Sequence, residues 1–205
     1  MSASCLFRAP RVIDLPTGVA GIVFDCDGTL IDSMPLHRQL WDDCLRPYGV
    51  SLPPDYIDTH AGKPTDVIVD RINHEFGVRI DATEFQEVKE GRFRERIDEA
   101  PPIGPVVELA RAHRGRLPMA VVSGGCRANV VASLEAIDAA DWFAVVLTAD
   151  DPIAPKPAPD LFVEAARQIG VDPRSCHALE DADAGVTAAR AAGMSVTDVR
   201  LLASP

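Results

Sequence analysis

Asp25 and Asp27 are separated by one residue and directly follow an apolar stretch, a spacing that could place two carboxylates in one small volume. The apolar stretch, Gly21 to Phe24, predicts a strand that is buried on both faces and ends where the acids begin. Side chains at positions i and i+2 of extended backbone point to the same side, and two close anions repel unless a cation or a shared proton is present. The pattern therefore indicates a cation site or an acid–base pair, with an ordinary Asp-Gly turn at Gly28 as the alternative.

Two later apolar segments also end in polar residues. Val122 is followed by Ser123 and Gly124, and a hydroxyl with free N–H groups before a helix suits a phosphoryl group. A plain Ser-Gly helix start is the alternative at this position. The second segment ends at Ala178 and Leu179 and is followed by Glu180 and Asp181. Adjacent acids after a buried strand favour a cation such as Mg²⁺, which prefers oxygen ligands.

Lys156 lies between two prolines just before a predicted helix, in the stretch APKPAPD. The prolines hold the backbone extended, so this lysine has less freedom than an ordinary solubilising surface lysine. A positive charge held near several carboxylates would lower the cost of bringing them together. We therefore expect Lys156 to belong to the same site as the acids.

The string DCDGTLIDS, from Asp25 to Ser33, resembles the first motif of the haloacid dehalogenase-like phosphotransferase superfamily. Ser123 matches the second motif of that superfamily, and the KPAPD stretch that begins at Lys156 resembles the third. Within the superfamily the chain is most similar to the β-phosphoglucomutase-like group, and especially to its fructose-1-phosphatase-like sugar-phosphatase branch. The similarity covers about residues 18 to 202.

The resemblance implies a role for each of these residues. Asp25 would be the nucleophile and Asp27 the acid/base. Mg²⁺ would be held by Asp25, Asp181 and the backbone carbonyl of Asp27. Glu180 would support these ligands without binding the ion itself. Lys156 would contact both the phosphoryl group and the nucleophile, and the phosphoryl group would also meet Ser123 and Gly124.

Two further candidates lie in the segment that follows the first motif. His37 coincides with a histidine of the β-phosphoglucomutase-like group, so it is expected to contact the leaving group or the substrate, with a structural role as the alternative. The stretch GKPT at 62–65 resembles the substrate-specificity loop of the sugar phosphatases. An arginine commonly follows that loop where this chain has Val67, and Lys63 is the candidate to take its part.

The elements that must position these residues follow from periodicity. Helical spacing runs from Ser33 to about Glu99, where dense charges between Thr83 and Glu99 are interpreted as a solvated helix face. Beyond the proline-rich linker at 101–105, strands expected at 119–122, 143–147, 176–179 and 195–199 alternate with helices, which predicts a parallel sheet. The expected fold is an α/β, Rossmann-like parallel sheet core with an inserted four-helix cap. Residues 1–17 form a lead-in, 18–32 and 101–205 the core, and 33–100 the cap.

Bulk properties exclude several classes of function. The net charge of −11 and pI near 4.8 argue against nucleic-acid and membrane-surface partners. The five scattered cysteines include no CxxC pair, which disfavours a zinc site or disulfide framework and favours the reducing cytoplasm. No apolar run predicts a membrane span or a signal peptide. The expected partner is a phosphorylated small molecule, and the oligomeric state is not predicted.

The expected reaction is Mg²⁺-dependent hydrolysis of a small sugar phosphate through an aspartyl phosphate on Asp25. Asp27 must be protonated when substrate binds, so we expect burial and the nearby Asp25 to raise its pKa. The alternatives are a mutase that returns the phosphoryl group to a second sugar hydroxyl, and a non-catalytic binding or regulatory module. Dehalogenation is disfavoured because displacement of a halide needs neither an acid at Asp27 nor a metal.

Overall fold

A computed structural model of the chain describes residues 13–60 and 65–203. The strands in this part of the chain are short and form one sheet. They are β1 (Gly21–Phe24), β2 (Met119–Val122), β3 (Val145–Leu147), β4 (Cys176–Glu180) and β5 (Ser195–Asp198). Their order in the sheet is β3-β2-β1-β4-β5, and all neighbours pair in parallel. The predicted parallel α/β sheet is confirmed.

The helices of the described residues fall into two groups. Five come before the second strand: α1 (Met34–Leu45), α2 (Tyr56–Thr59), α3 (Thr65–Phe76), α4 (Ala82–Arg96) and α5 (Gly104–His113). The others alternate with the later strands: α6 (Arg127–Ala136), α7 (Asp160–Gln168) and α8 (Asp183–Ala191). The sheet is covered on both faces, with α5 and α6 packed on one and α7 and α8 on the other.

Apolar residues alternate along the central strands to serve both faces. In β1, Ile22 and Phe24 join the cluster on the α5 and α6 side, while Val23 joins the cluster on the α7 and α8 side. All three side chains are fully buried. This double burial explains why the strand is a continuous apolar run, as parallel strands between helices require.

Helices α1 to α4, named here the helical insertion, lie between β1 and α5 in the sequence. They surround a cluster of their own that includes Trp41, Ile72 and Phe85. The flanking helices α1 and α4 also contribute Leu40 and Phe93 to the main core. The insertion is therefore anchored on the sheet domain through its first and last long helices.

Some predicted boundaries differ from the structure. The last helix of the insertion ends at Arg96 rather than Glu99, and a 3₁₀ turn follows it. The strand expected from Phe143 begins at Val145, because Phe143 instead packs edge-on against Phe24, with ring centroids 5.5 Å apart. No helix of the described residues is both long and apolar enough to cross a membrane.

The register of the sheet gathers the strand ends at one edge. Phe24, the last residue of β1, lies beside Val121 on one side and Leu179 on the other. The residues that follow these positions are therefore neighbours in space. Asp25, Ser123 and Glu180 are brought to the carboxyl edge of the sheet, which is where open parallel sheets place ligands.

Candidate active site

Asp25 lies at the end of β1 with only 8% of its side chain exposed. Lys156 donates hydrogen bonds to Oδ1 of Asp25 at 2.6 Å and to Oε1 of Glu180 at 2.7 Å. The lysine also donates to the backbone carbonyl of Val122 at 3.2 Å. Among the described residues, no hydrogen-bond partner reaches the other oxygen of Asp25, Oδ2, although it is buried. A buried carboxylate oxygen without a donor indicates a position made for a ligand.

Asp181 completes an acidic cluster with these residues. One carboxylate oxygen from each of Asp25, Glu180 and Asp181 lies within 4.8 Å of the others. Thr29 donates to Oδ1 of Asp181 at 3.2 Å. A Cβ atom at Gly28, whose φ is +82°, would lie 2.1 Å from Oδ2 of Asp181. The turn after β1 therefore needs glycine both for its conformation and for the space that the carboxylate occupies.

The charges in this cluster do not balance within the described part of the chain. Burial raises the pKa of Asp25, and Lys156 offsets this only in part because Glu180 and Asp181 raise the pKa again. Burial and the neighbouring Glu180 raise the pKa of Asp181 to about 6. Burial opposes the charge of Lys156, but the two carboxylates that it contacts raise its pKa above the ordinary value.

The cluster fits a divalent cation on three independent grounds. Within residues 13–60 and 65–203, its donors are hard carboxylate oxygens, it holds more negative than positive charge, and Oδ2 of Asp25 lacks a hydrogen bond. A cation would satisfy that oxygen and reverse the raised pKa values of Asp25 and Asp181.

Glu180 is the most enclosed of the acids. Its two oxygens accept hydrogen bonds from Lys156 and from the backbone N–H of Ala182, the latter at 2.6 Å. A Cβ atom at Gly185 would lie 1.5 Å from Oε1 of Glu180. The glycine thus lets the first turn of α8 lie directly against the carboxylate. These contacts suit a residue that holds Lys156 and its neighbours in place, which is the supporting role that the sequence predicts.

Asp27 points toward the helical insertion rather than into the acidic cluster. Ser33 donates a 2.6 Å hydrogen bond to Oδ1 of Asp27, and Nε2 of His37 lies 3.5 Å from the same oxygen. The imidazole of His37 stacks on the ring of Phe93, with centroids 4.4 Å apart. His37 is therefore held between α4 and the candidate acid/base, as expected for a residue at the leaving-group side.

The expectation that the pKa of Asp27 is raised is wrong for this structure. Burial does raise the pKa, but the hydrogen bond and charge of His37, the hydroxyl of Ser33 and the charge of Lys89 together lower it. From the sequence, only burial and the neighbouring Asp25 are expected to act on the pKa of Asp27. The groups that lower the pKa come from the start of α1 and from α4, whose positions relative to Asp27 depend on the tertiary fold.

Ser123 follows β2 and is almost fully buried. Its Oγ accepts a hydrogen bond from the N–H of Gly125 at 3.0 Å. A Cβ atom at Gly125 would lie 3.3 Å from that Oγ and 3.4 Å from Oδ2 of Asp27. Gly124 is exposed, with open space where a side chain would be. Ser123 and Asp27 therefore border the same small space.

Lys63, the candidate substrate-binding residue of the GKPT stretch, lies outside the described residues.

The prediction that the charges of α4 all lie on a solvated face is wrong for Lys89. It is 4% exposed and not part of a solvated helix face. Its Nζ donates to Oε1 of Glu90 at 2.6 Å and lies 5.7 Å from the centroid of the Trp41 ring. The available signal was its spacing, since Lys89 lies four residues from both Phe85 and Phe93 and so falls on the buried stripe of α4.

A cleft of about 470 Å³ opens between α3, α4 and the start of α6. Cys126, on its wall, follows the Gly125 that borders Asp27. Another cleft, of about 640 Å³, lies beside β3 and α7 and is lined by residues between Leu147 and Gln168 that do not include Lys156. The smaller cleft is thus the one that adjoins the site. Its polar and charged walls include Asp66, Thr83, Gln86, Glu87, Glu90 and Arg94.

Comparison with known proteins agrees with this geometry. The family model described as haloacid dehalogenase-like hydrolase matches residues 19–193. The chain belongs to this family. Its members include fructose-1-phosphate phosphatase YqaB of Escherichia coli, which is 38% identical over 184 residues, covering 89% of this chain and 97% of the relative. The family resemblance predicted from the motifs is confirmed.

Two further comparisons support the assignment of this haloacid dehalogenase-like hydrolase. Hexitol phosphatase A of Escherichia coli is 30% identical over 189 residues, covering 87% of this chain and 82% of the relative. The crystal structure of CbbY from Rhodobacter sphaeroides in complex with phosphate matches with a TM-score of 0.77 and 25% identity. That match covers 87% of this chain and 84% of the CbbY chain.

Proposed function

We propose that this haloacid dehalogenase-like hydrolase is a Mg²⁺-dependent phosphatase that hydrolyses small sugar monophosphates through an aspartyl phosphate on Asp25. The observation that carries the proposal is the state of the Asp25 carboxylate. Lys156 fixes one of its oxygens, while no donor among the described residues reaches the other. A carboxylate that is oriented but only half satisfied is suited to act as a nucleophile beside a cation.

Mg²⁺, held by Asp25, Asp181 and the backbone carbonyl of Asp27, would supply positive charge to the phosphoryl oxygens. Lys156 would neutralise a further phosphoryl oxygen while it keeps Asp25 in line. Ser123 and the backbone N–H of Gly124, an exposed residue, would donate to the remaining oxygens. In this arrangement the chain itself contributes the orientation and most of the hydrogen bonds that phosphoryl transfer requires.

In the first step, the Asp25 carboxylate attacks phosphorus, the bond from phosphorus to the sugar oxygen breaks, and Asp27 gives its proton to the departing oxygen. In the second step, Asp27 takes a proton from water, which attacks phosphorus and releases phosphate from Asp25. Asp27 must therefore bind a proton together with substrate. A phosphate anion near its carboxylate would raise the pKa that His37 and Ser33 otherwise lower.

We also propose that the helical insertion is the cap that excludes water and carries the leaving-group side of the site. His37 of α1 and Lys89 of α4 both act on Asp27. The cleft beside them is lined by three carboxylates, those of Asp66, Glu87 and Glu90, and by the guanidinium of Arg94. Such walls favour an uncharged, hydroxyl-rich group, as a sugar provides.

The cations around this cleft argue for a monophosphate rather than a bisphosphate. Lys89 binds Glu90, Arg94 donates to Asn129, and Arg127 donates to Asp151. A mutase must clamp the phosphate that is not reacting, which needs an available cation. Each of these cations of the described residues already has a partner. The similarity to fructose-1-phosphate phosphatase supports the same choice.

The test is an assay of the purified protein with fructose 1-phosphate, hexitol phosphates and glucose 1-phosphate, with Mg²⁺ present. Free phosphate is measured in each case, with the Asp25→Asn variant as a control for contaminating phosphatases. We expect release of phosphate from at least one sugar monophosphate. Glucose 1-phosphate with catalytic glucose 1,6-bisphosphate provides the second arm, in which rapid formation of glucose 6-phosphate without phosphate release would identify a mutase instead.

A further inference from the structure

Asn129 joins the sheet domain to the helical insertion through its side-chain amide. It lies on α6 and is 3% exposed. Its Oδ1 accepts a hydrogen bond from Nη1 of Arg94 at 2.8 Å, and its Nδ2 donates to Oε2 of Glu90. Both partners belong to α4. An amide carries an acceptor and a donor side by side, so it can match a guanidinium and a carboxylate at the same time.

The contact continues from Glu90 to the catalytic side of the insertion. The second oxygen of Glu90, Oε1, accepts from Nζ of Lys89 at 2.6 Å. Lys89 lies against Trp41 of α1. One turn further along α4, Phe93 stacks on His37, whose Nε2 lies 3.5 Å from Oδ1 of Asp27. Asn129 is thus the first member of a continuous polar chain that runs through Glu90 and Lys89 toward the candidate acid/base.

The position of Asn129 along α6 adds to its significance. The helix begins two residues after Gly125, which borders both Ser123 and Asp27. A shift of α4 relative to α6 would therefore separate Lys89 from the phosphate-binding turn. A purely apolar contact between these helices would permit small sliding movements, whereas buried donors and acceptors must meet in one register.

We infer that Asn129 is a positioning residue, which holds α4 in register against α6 and so keeps Lys89 beside Asp27 for the reaction. This inference rests on the proposed function for the chemistry that it serves. The amide acts through its two partners on α4, Glu90 and Arg94.

The test is a swap of hydrogen-bonding groups. In Asn129→Asp, a carboxylate faces Glu90, and the two acceptors repel. In Glu90→Gln, the oxygen of the new amide accepts from Lys89, so its NH₂ group faces Nδ2 of Asn129. Two donors then oppose each other, because Oδ1 of Asn129 must still accept from Arg94. In the double variant, the new amide at position 90 donates to the new carboxylate at position 129, which also accepts from Arg94. Donors and acceptors match again, and the negative charge has moved from position 90 to position 129. Glu95→Gln, an exposed position on the same helix, is the matched control.

We expect each single variant to lower kcat for the sugar phosphate by about tenfold, the scale of coupling within a hydrogen-bonded network. Asn129→Asp, which does not line the cleft, should change KM less than threefold. The double variant should return to within about threefold of wild type, and Glu95→Gln should not differ from wild type. In a Lys89→Met background, Asn129→Asp should have no further effect on kcat, since the residue that it positions is gone. Loss of stability alone would lower activity equally in both backgrounds.

A second readout does not depend on activity. The chain has two tryptophans, so in a Trp142→Phe background Trp41 alone reports on the place of Lys89. Its emission maximum should shift in each single variant and return in the double variant. The inference is overturned if both single variants keep the wild-type kcat and emission, or if the double variant is as impaired as the product of the singles. Absence of phosphatase activity in the wild type would instead remove the proposed function, and the emission data would still decide the role of Asn129.

Discussion

The ammonium group of Lys156 lies 2.6 Å from Oδ1 of Asp25, in an ion pair that joins residues 131 positions apart in the chain. Both side chains are close to fully buried, at 10% and 8% exposure. The pair orients Asp25 before any substrate arrives, and no residue in the described part of the chain donates a hydrogen bond to the other oxygen, Oδ2. Under the proposed function, catalysis and folding therefore depend on the same contact.

Replacement of Lys156 by Met should affect both properties. Removal of the ammonium leaves Asp25 and Glu180 as buried anions without their shared partner. We expect the free energy of unfolding without metal to fall by about 3 kcal/mol or more, and phosphate release to fall at least a hundredfold, since a transition-state charge contact is lost. Urea denaturation and steady-state kinetics measure the two effects. Arg174→Met, at an exposed site, is the control, and a Lys156→Met protein with normal kinetics would refute the assigned contact.

Chelation should abolish activity, and Mg²⁺ should restore it. The reason is the excess of carboxylate over ammonium charge among Asp25, Glu180, Asp181 and Lys156. Asp181→Asn should raise the Mg²⁺ concentration needed for half-maximal activity by about tenfold or more, as expected for loss of an anionic ligand. Activity titrations with Mg²⁺ after dialysis against EDTA measure this. Full turnover in excess EDTA would show that the acidic cluster needs no cation.

Gly185→Ala should displace the carboxylate of Glu180, although Gly185 is not itself a candidate catalytic or metal-binding residue. The added Cβ would lie 1.5 Å from Oε1 of Glu180, so either the carboxylate or the start of α8 must move. We expect a loss of about 1–3 kcal/mol of unfolding free energy, together with reduced activity because Glu180 no longer holds Lys156. Gly104→Ala is the matched control, since nothing lies within 4 Å of its added Cβ. Equal unfolding midpoints for the two variants would contradict the close packing at Gly185.

His177 gives a prediction about pH that is independent of the catalytic site. Its ring lies in the sheet, with Nδ1 2.7 Å from Oγ of Ser195 and Nε2 2.8 Å from Oγ1 of Thr197. Burial lowers the pKa of His177 below its ordinary value. The unfolded chain therefore binds the proton more readily. This contribution to stability is present above about 6.5, the ordinary pKa of histidine, and is lost progressively as pH falls from there through the lower pKa of the folded protein.

Denaturation by urea at pH 5 and pH 8 tests this prediction. His177→Gln should reduce the loss of stability between the two pH values, while the exposed His74→Gln should leave it as in wild type. An unchanged pH dependence in His177→Gln would show that the buried imidazole does not carry this effect.

Much of the fold was predictable because the signals are local. Continuous apolar runs that end in Asp25, Ser123 and Glu180 predict buried parallel strands, and parallel strands bring their ends to one edge. The burial of Lys89 had a weaker signal, its spacing of four residues from both Phe85 and Phe93. The lowered pKa of Asp27 had none, because it depends on how α1 and α4 pack against the sheet.

Detection of the phosphorylated enzyme tests most directly whether Asp25 is the nucleophile. With Asp27→Asn, attack by Asp25 can still occur on an activated aryl phosphate, while hydrolysis of the adduct should slow by about a hundredfold or more, the usual scale for a lost general base. Rapid quenching followed by intact-mass analysis and peptide mapping should place one phosphoryl group on Asp25, and Asp25→Asn should show no adduct and no turnover. An adduct on another residue, or an adduct that persists in Asp25→Asn, would contradict Asp25 as the nucleophile.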